Sequence, residues 1–236
     1  MRASGLTKDF HGDLKRVARS ISCKSIYFLG GENIKERDCI NINREALNEV
    51  KEPRIIVIPW TTENLEKERR YREIIYEYFM DLGVESIVFL ERHHSPEEIG
   101  SRMMQANILY LPGGDPRVLH KEISKKGYLK RMIKEFTGVI VGNSAGAMIL
   151  GREALLMENR YFKVIKGLHL VEFCVHPHYT VDMEKYILAF SRNRVVFAIP
   201  SRNAIIYRPL NNFEIIGEVS LFIKGKKLGT FYGLRL

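Results

Sequence analysis

Five short apolar runs punctuate the first 141 residues: Ser25–Leu29 (SIYFL), Ile55–Pro59 (IIVIP), Ile87–Leu90 (IVFL), Ile108–Leu111 (ILYL) and Val139–Val141 (VIV). Each is unbroken rather than alternating, which suits a strand buried on both faces. Segments of helical period separate them. The clearest is Thr62–Leu82, with Thr61 or Thr62 as the expected N-cap and Gly83 as the stop. Ser95-Pro96-Glu97-Glu98 reads as an N-cap, a proline at the first helical position and acids in the first turn. Strands alternating with helices in this way predict an α/β fold of three layers, a mainly parallel sheet with helices on both faces.

The pattern changes in the last third. Tyr161–Ile165, Leu168–Val175, Val195–Ile199, Ala204–Tyr207, Glu214–Ile216 and Val219–Ile223 are expected to be short strands, antiparallel where tight turns join them. Asn211-Asn212 and Lys224-Gly225-Lys226 are the expected hairpin turns. A helix is expected over Asp182–Arg192. Residues 1–24 are polar and basic and read as an N-terminal extension or short helix. With no repeat, low-complexity tract or linker, residues 1–236 read as one domain.

Composition adds limits. Hydrophobic residues make up 45% of the 236 and charged residues 28%, enough for a soluble protein with a real core. The net charge of +9 fits a polyanion or an acidic small substrate. The bases are interleaved with acids, as in Lys67-Glu68-Arg69-Arg70, which suits a solvated helix face. No RNA-binding signature is present, so a nucleic-acid partner is not expected. Three cysteines without CxxC pairs argue against a disulfide framework or zinc site and suit a reducing compartment. There is no apolar signal-peptide core and no run long enough to span a membrane, so a cytoplasmic protein with no membrane partner is expected.

The chemistry concentrates where the fifth run ends. Gly142-Asn143-Ser144-Ala145-Gly146-Ala147 joins a buried strand to an apolar helix start, Met148-Ile149-Leu150. A serine hydroxyl needs exposure and a base to become a nucleophile. A tight strand-to-helix turn with small neighbours supplies the exposure. The Ala145 amide would then stand at a helix N-terminus, suited to a developing oxyanion. The fourth run ends in Gly113-Gly114-Asp115-Pro116. Paired glycines there allow close backbone approach, making Gly114 the second oxyanion donor and Gly113 its neighbour. Asp115 is also suited to cap a helix starting at Pro116. For the base, His178 in Cys174-Val175-His176-Pro177-His178-Tyr179 stands just past a strand end. His176, two residues earlier, would point to the same side as a pocket-wall residue. A metal reading of His-x-His lacks converging carboxylates.

Leu111-Pro112-Gly113-Gly114-Asp115, Gly142-Asn143-Ser144-Ala145-Gly146-Ala147 and His176-Pro177-His178-Tyr179 together resemble peptidase family S51, which contains dipeptidase E and cyanophycinase. The likeness spans about residues 25–235, making 1–236 a single S51 peptidase-like domain after the 1–24 extension. It implies a flavodoxin-like, class I glutamine amidotransferase-like fold with added C-terminal antiparallel strands. It further implies Ser144 as nucleophile, His178 as base, Gly114 and Ala145 as oxyanion donors, no cofactor, and cleavage of small peptides next to aspartate. The sequence departs from the family at one point. A glutamate often completes the triad, in a stretch such as GIPEG; here Ala198-Ile199-Pro200-Ser201-Arg202-Asn203 puts Ser201 there. A hydroxyl can orient the ring but supplies no negative charge. Glu153, Glu158, Glu172 and Asp182 are other acids that would serve. Arg202 is either a bidentate partner for a substrate carboxylate or a solvated loop residue.

The leading reading is therefore a serine peptidase acting on small peptides. The alternatives are an esterase or amidase of the same mechanism, and a binding or regulatory member weakened by Ser201. A homodimer is compatible with any of these.

Overall fold

The computed structural model describes residues 21–158, 161–209 and 212–233. Residues 1–20 of the extension expected over 1–24 lie outside them, as does part of the turn expected at Asn211-Asn212.

The order of elements is β1 (Ser25–Leu29), α1 (Ile40–Asn48), β2 (Arg54–Val57), α2 (Leu65–Asp81), β3 (Ser86–Phe89), α3 (Pro96–Gln105), β4 (Ile108–Leu111), α4 (Pro116–Lys125), α5 (Gly127–Glu135), β5 (Val139–Asn143) and α6 (Ala145–Leu150). Then follow β6 (Glu153–Glu158), β7 (Tyr161–Lys166), β8 (Cys174–Pro177), α7 (Glu184–Phe190), β9 (Val195–Ile199), β10 (Ala204–Arg208), β11 (Asn212–Ile216), β12 (Glu218–Ile223) and β13 (Lys226–Tyr232).

The main sheet runs β11-β10-β1-β5-β4-β2-β3. Its five strands from β1 to β3 are parallel, and β10 and β11 add an antiparallel edge. Because side chains alternate along a strand, each continuous apolar run feeds two cores. Ile26, Phe28, Ile56, Leu109 and Ile140 face the core shared with α3 to α6. Tyr27, Leu29, Ile55, Val57, Tyr110 and Val141 face the core shared with α1 and α2. Each fully buried Ile or Leu stabilises the fold by about 1.5–3 kcal/mol.

A second sheet, β13-β12-β9-β8, packs against the first through an aromatic cluster. Phe173 meets Phe28, Phe197 and Tyr207 edge-on at centroid distances of 5.3, 5.0 and 5.7 Å. Within this sheet β8 and β9 are parallel, so their C-terminal ends point the same way.

Several details differ from the sequence reading. Asn64, not Thr61 or Thr62, caps α2: its side chain accepts from the Lys67 amide. Thr61 is instead buried against Gly114. The run Leu168–Val175 is not one strand; only Cys174–Pro177 pairs, since Leu168 and Leu170 donate their amides to Ile149 and Leu150 carbonyls. Two strands had no clear signal. Glu153–Glu158 pairs with Tyr161–Lys166, and Lys226–Tyr232 pairs with β12 across the expected Lys224-Gly225 turn.

Candidate active site

The C-terminal ends of β1, β4, β5, β8 and β9 each lead into a turn carrying a candidate residue. Ser144 follows β5. Its φ of 47° and ψ of −102° lie in a sparsely populated region, costing about 1–3 kcal/mol. Its amide donates to Leu29 O at 3.2 Å, and its carbonyl accepts from Met148 N at 2.9 Å. Ala145 is the first residue of α6, so its amide is one that the helix leaves without an acceptor.

His178 follows β8, also with positive φ, 53°. Its amide donates to Gly30 O at 2.6 Å. This backbone carries the imidazole across to Ser144: Nε2 lies 2.8 Å from Ser144 Oγ. On the other side of the ring, Nδ1 lies 2.9 Å from Ser201 Oγ. Ser201 follows β9, and Arg202 beside it is the third non-glycine residue of the site with positive φ, 68°. The Arg202 amide donates to Gly31 O at 3.0 Å.

Desolvation lowers the His178 pKa from its ordinary 6.5, and no carboxylate among the described residues pushes it back up. Three of the four other acids named from the sequence have places of their own. Glu153 pairs with Arg194 at 2.6 Å, and Glu172 with His169 at 2.8 Å. Asp182 sits in a 3-10 turn, and the Glu158 side chain lies outside the description. Arg202 points its Nε at Asp38 Oδ2, 2.9 Å away, with a side chain 70% exposed. It is a surface ion-pair residue, tying the Ser201 turn to the 33–38 loop, rather than a free carboxylate fork.

His176 is separated from His178 in environment. It is buried, its Nδ1 has no partner among the described residues, and burial pulls its pKa down to about 4. Among the described residues no group of three or more His, Cys, Asp or Glu converges as a metal site.

The glycine turns complete the wall. Gly114 has φ 137°, and a Cβ there would stand 2.5 Å from Thr61 Oγ1. A Cβ on Gly113 would lie 3.6 Å from Ser144 Cβ, so this turn runs directly beside the serine. Asp115 caps α4 by accepting from Arg117 N and also pairs with the Arg117 guanidinium at 2.6 Å. Beyond the turn opens a cavity of about 450 Å3 lined by Thr61, Asn64, Lys67, Tyr71, Gly113 and Gly114 among others. The acids on its wall are committed, Glu63 to Lys121 and Asp115 to Arg117. Lys67 has no ion pair within 4 Å among the described residues.

Two residues escaped the sequence reading. The sequence marks Asn143 only as part of the serine turn. Its side chain in fact clasps the main chain of Glu32: Oδ1 accepts from Glu32 N at 2.9 Å and Nδ2 donates to Glu32 O at 3.4 Å. Gly31 carried no signal beyond its pairing with Gly30. It has φ 132°, and a Cβ there would fall 2.0 Å from His178 Cε1. Only a residue without a side chain leaves room for the imidazole.

A hydroxyl 2.8 Å from an uncharged imidazole, at the start of a helix and beside a glycine turn, has the parts needed for nucleophilic attack on a carbonyl. Comparison with known proteins identifies the family and the fold. The model of Peptidase family S51 matches residues 28–206. Among solved structures, a peptidase from an acI-B1 Actinobacterium superposes with a TM-score of 0.67 at 17% identity, covering 94% of this chain and 99% of that one. A putative peptidase E protein from Listeria monocytogenes EGD-e superposes with a TM-score of 0.61 at 20% identity, covering 87% and 99%. A comparison with curated proteins gave no match.

Proposed function

We propose, from the premise that this chain belongs to peptidase family S51 and is a serine-type peptidase, that it hydrolyses small peptides through a Ser144–His178 pair. The observation that carries this reading is the 2.8 Å contact between Ser144 Oγ and His178 Nε2. With the ring protonated on Nδ1, Nε2 accepts the serine proton as Oγ attacks the scissile carbonyl and returns it to the leaving amine; a water that gives its proton to Nε2 then cleaves the acyl-serine, and Oγ takes that proton back as the acid leaves. The amides of Ala145 and Gly114 are assigned to the oxyanion. Ser201 orients the ring without supplying charge. Gly113 and Asp115 shape the cavity, and Arg202 holds the Ser201 turn.

The cavity beside Gly113 and Gly114 supports a short substrate, since 450 Å3 holds a residue or two rather than a folded chain. Lys67 on its wall favours a carboxylate, in keeping with cleavage next to aspartate. The test is turnover of a dipeptide panel, Asp-X members included, by wild type and Ser144→Ala. Loss of all turnover in the variant is the expected result; equal activity in both would reject the reading. The serine partner of His178 also favours a weakened, binding or regulatory member. Fluorophosphonate labelling separates the two, because an activated Ser144 reacts and an idle one does not. Acyl esters in the same panel separate a peptidase from an esterase or amidase.

A further inference from the structure

The short segment Leu29–Glu32 accepts the backbone amides of Ser144, of His178 and of Arg202 beside Ser201. Leu29 O accepts from Ser144 N, Gly30 O from His178 N and Gly31 O from Arg202 N, while the Glu32 main chain is clasped by Asn143. Three of the residues it meets, Ser144, His178 and Arg202, have positive φ. Such strained backbone persists only where its surroundings over-determine it. The segment is thus the common reference for the nucleophile, the base and the turn carrying Ser201.

The segment ends in a buried carboxyl group that the proposed chemistry does not use. Glu32 is 8% exposed. Its Oε1 accepts from Tyr78 Oη at 2.8 Å and its Oε2 from Asn43 Nδ2 at 2.9 Å. Asn43 Nδ2 also donates to Tyr78 Oη at 2.8 Å, closing a three-membered network. Tyr78 belongs to α2 and Asn43 to α1, so the network moors the segment to the helical layer on one face of the sheet. A buried acid is costly unless its hydrogen bonds are made, so its presence here calls for a role.

We propose that Glu32 is a positioning residue: fastened by Tyr78 and Asn43, it holds the Leu29–Glu32 strap whose carbonyls set Ser144, His178 and Arg202 relative to one another. This rests on the Ser144–His178 reading for its catalytic consequence, but not for its structural one. Displacing a reacting group by about 1 Å can cost 100-fold in rate.

The experiment compares Glu32→Ala and Glu32→Gln with wild type in peptide turnover and in amide hydrogen exchange at His178 and Arg202. Glu32→Ala is expected to lower kcat about 10- to 100-fold with KM within about 3-fold. It is also expected to speed exchange at those two amides about 10-fold or more while Ile56 and Leu109 in the sheet stay unchanged. Glu32→Gln is expected to remain within about 3-fold of wild type in both. Its Oε1 still accepts from Tyr78, and Asn43 can turn its Oδ1, which has no partner, toward the new amide. A folded Glu32→Ala with unchanged kcat or unchanged exchange overturns the proposal, as does a Glu32→Gln as impaired as the alanine. If Glu32→Ala does not fold, Tyr78→Phe decides, with an expected loss of about 3- to 10-fold in kcat and faster exchange at the same amides; no change in either overturns it. Wild type without Ser144-dependent turnover removes the catalytic reading, and exchange alone then decides whether Glu32 holds the strap.

Discussion

Replacing Ser201 by alanine tests how His178 works without an acid behind it. The contact removed is one hydrogen bond of 2.9 Å between Ser201 Oγ and His178 Nδ1. A bond of this kind contributes about 0.5–1.5 kcal/mol net. At 1.36 kcal/mol per decade, kcat/KM should fall about 2- to 13-fold. Ser201 is exposed, so water can take its place, which favours the lower half of that range. A carboxylate at this position would behave differently: it only accepts, which locks the Nδ1–H tautomer, and it stabilises the imidazolium. Loss of that correct third group costs about 10⁴. A hydroxyl can rotate to donate or accept, so it holds the tautomer weakly and leaves little to lose. The assay is initial-rate hydrolysis of the best dipeptide at pH 8, with Ser144→Ala as background. A fall of 10³ or more, or none at all, would refute the reasoning.

A second arm uses pH. Desolvation lowers the folded pKa of His178 below 6.5, so the base stays uncharged, and kcat/KM holds, until the pH drops below that value. Ser201→Asp puts an opposite charge at Nδ1, favours the imidazolium and should move the acid limb upward by about one pH unit or more. A limb that stays put would mean that residue 201 does not face the ring in solution.

Three further outcomes follow from the same coordinates. Gly31→Ala forces a Cβ to 2.0 Å from His178 Cε1 at φ 132°, so kcat should fall about 100-fold or more while circular dichroism shows a folded protein. His176 carries a folded pKa of about 4 against 6.5 unfolded, so both states are neutral above pH 6.5 and stability is lost as pH falls toward 4. The gap corresponds to about 3 kcal/mol, and denaturant titrations from pH 7 to 4 should show a shallower decline in His176→Gln. Lys67→Ala should reduce kcat/KM for Asp-X peptides up to about 5-fold relative to neutral ones, the value of one exposed ion pair, and equal losses for both substrate classes would contradict the assignment.

Much of the architecture is local and therefore legible. The unbroken apolar runs specify strands buried on both faces, since only a two-sided core satisfies consecutive apolar residues. Ser95-Pro96 and Asp115-Pro116 announce helix starts through capping chemistry that needs only neighbouring residues, and both are caps in the structure. The turn after Val139–Val141 is marked by its small residues, and Ser144 stands at it. Where the local signal was weak, the reading failed. Glu153–Glu158 becomes a strand because Tyr161–Lys166 pairs with it, and Leu168–Leu170 is diverted from strand pairing by the Ile149–Gly151 carbonyls.

The third partner of His178 stands between these cases. Sequence narrowed it to Ser201 or a distant acid, because a missing glutamate is visible, but which atom reaches Nδ1 depends on where β8 and β9 end side by side in a second sheet. The Glu32 network was out of reach altogether. Glu32 and Asn143 are 111 positions apart, and nothing in Gly30-Gly31-Glu32 says that its carboxyl is buried. Sequence alone thus determined the buried parallel strands, the serine turn and the residue types able to do the chemistry, because propensity, capping and periodicity act over a few residues. Tertiary structure alone decided burial, the 2.8 Å approach of His178 to Ser144 and the contacts of Leu29–Glu32, because these arise only when strand ends far apart in sequence converge from two sheets.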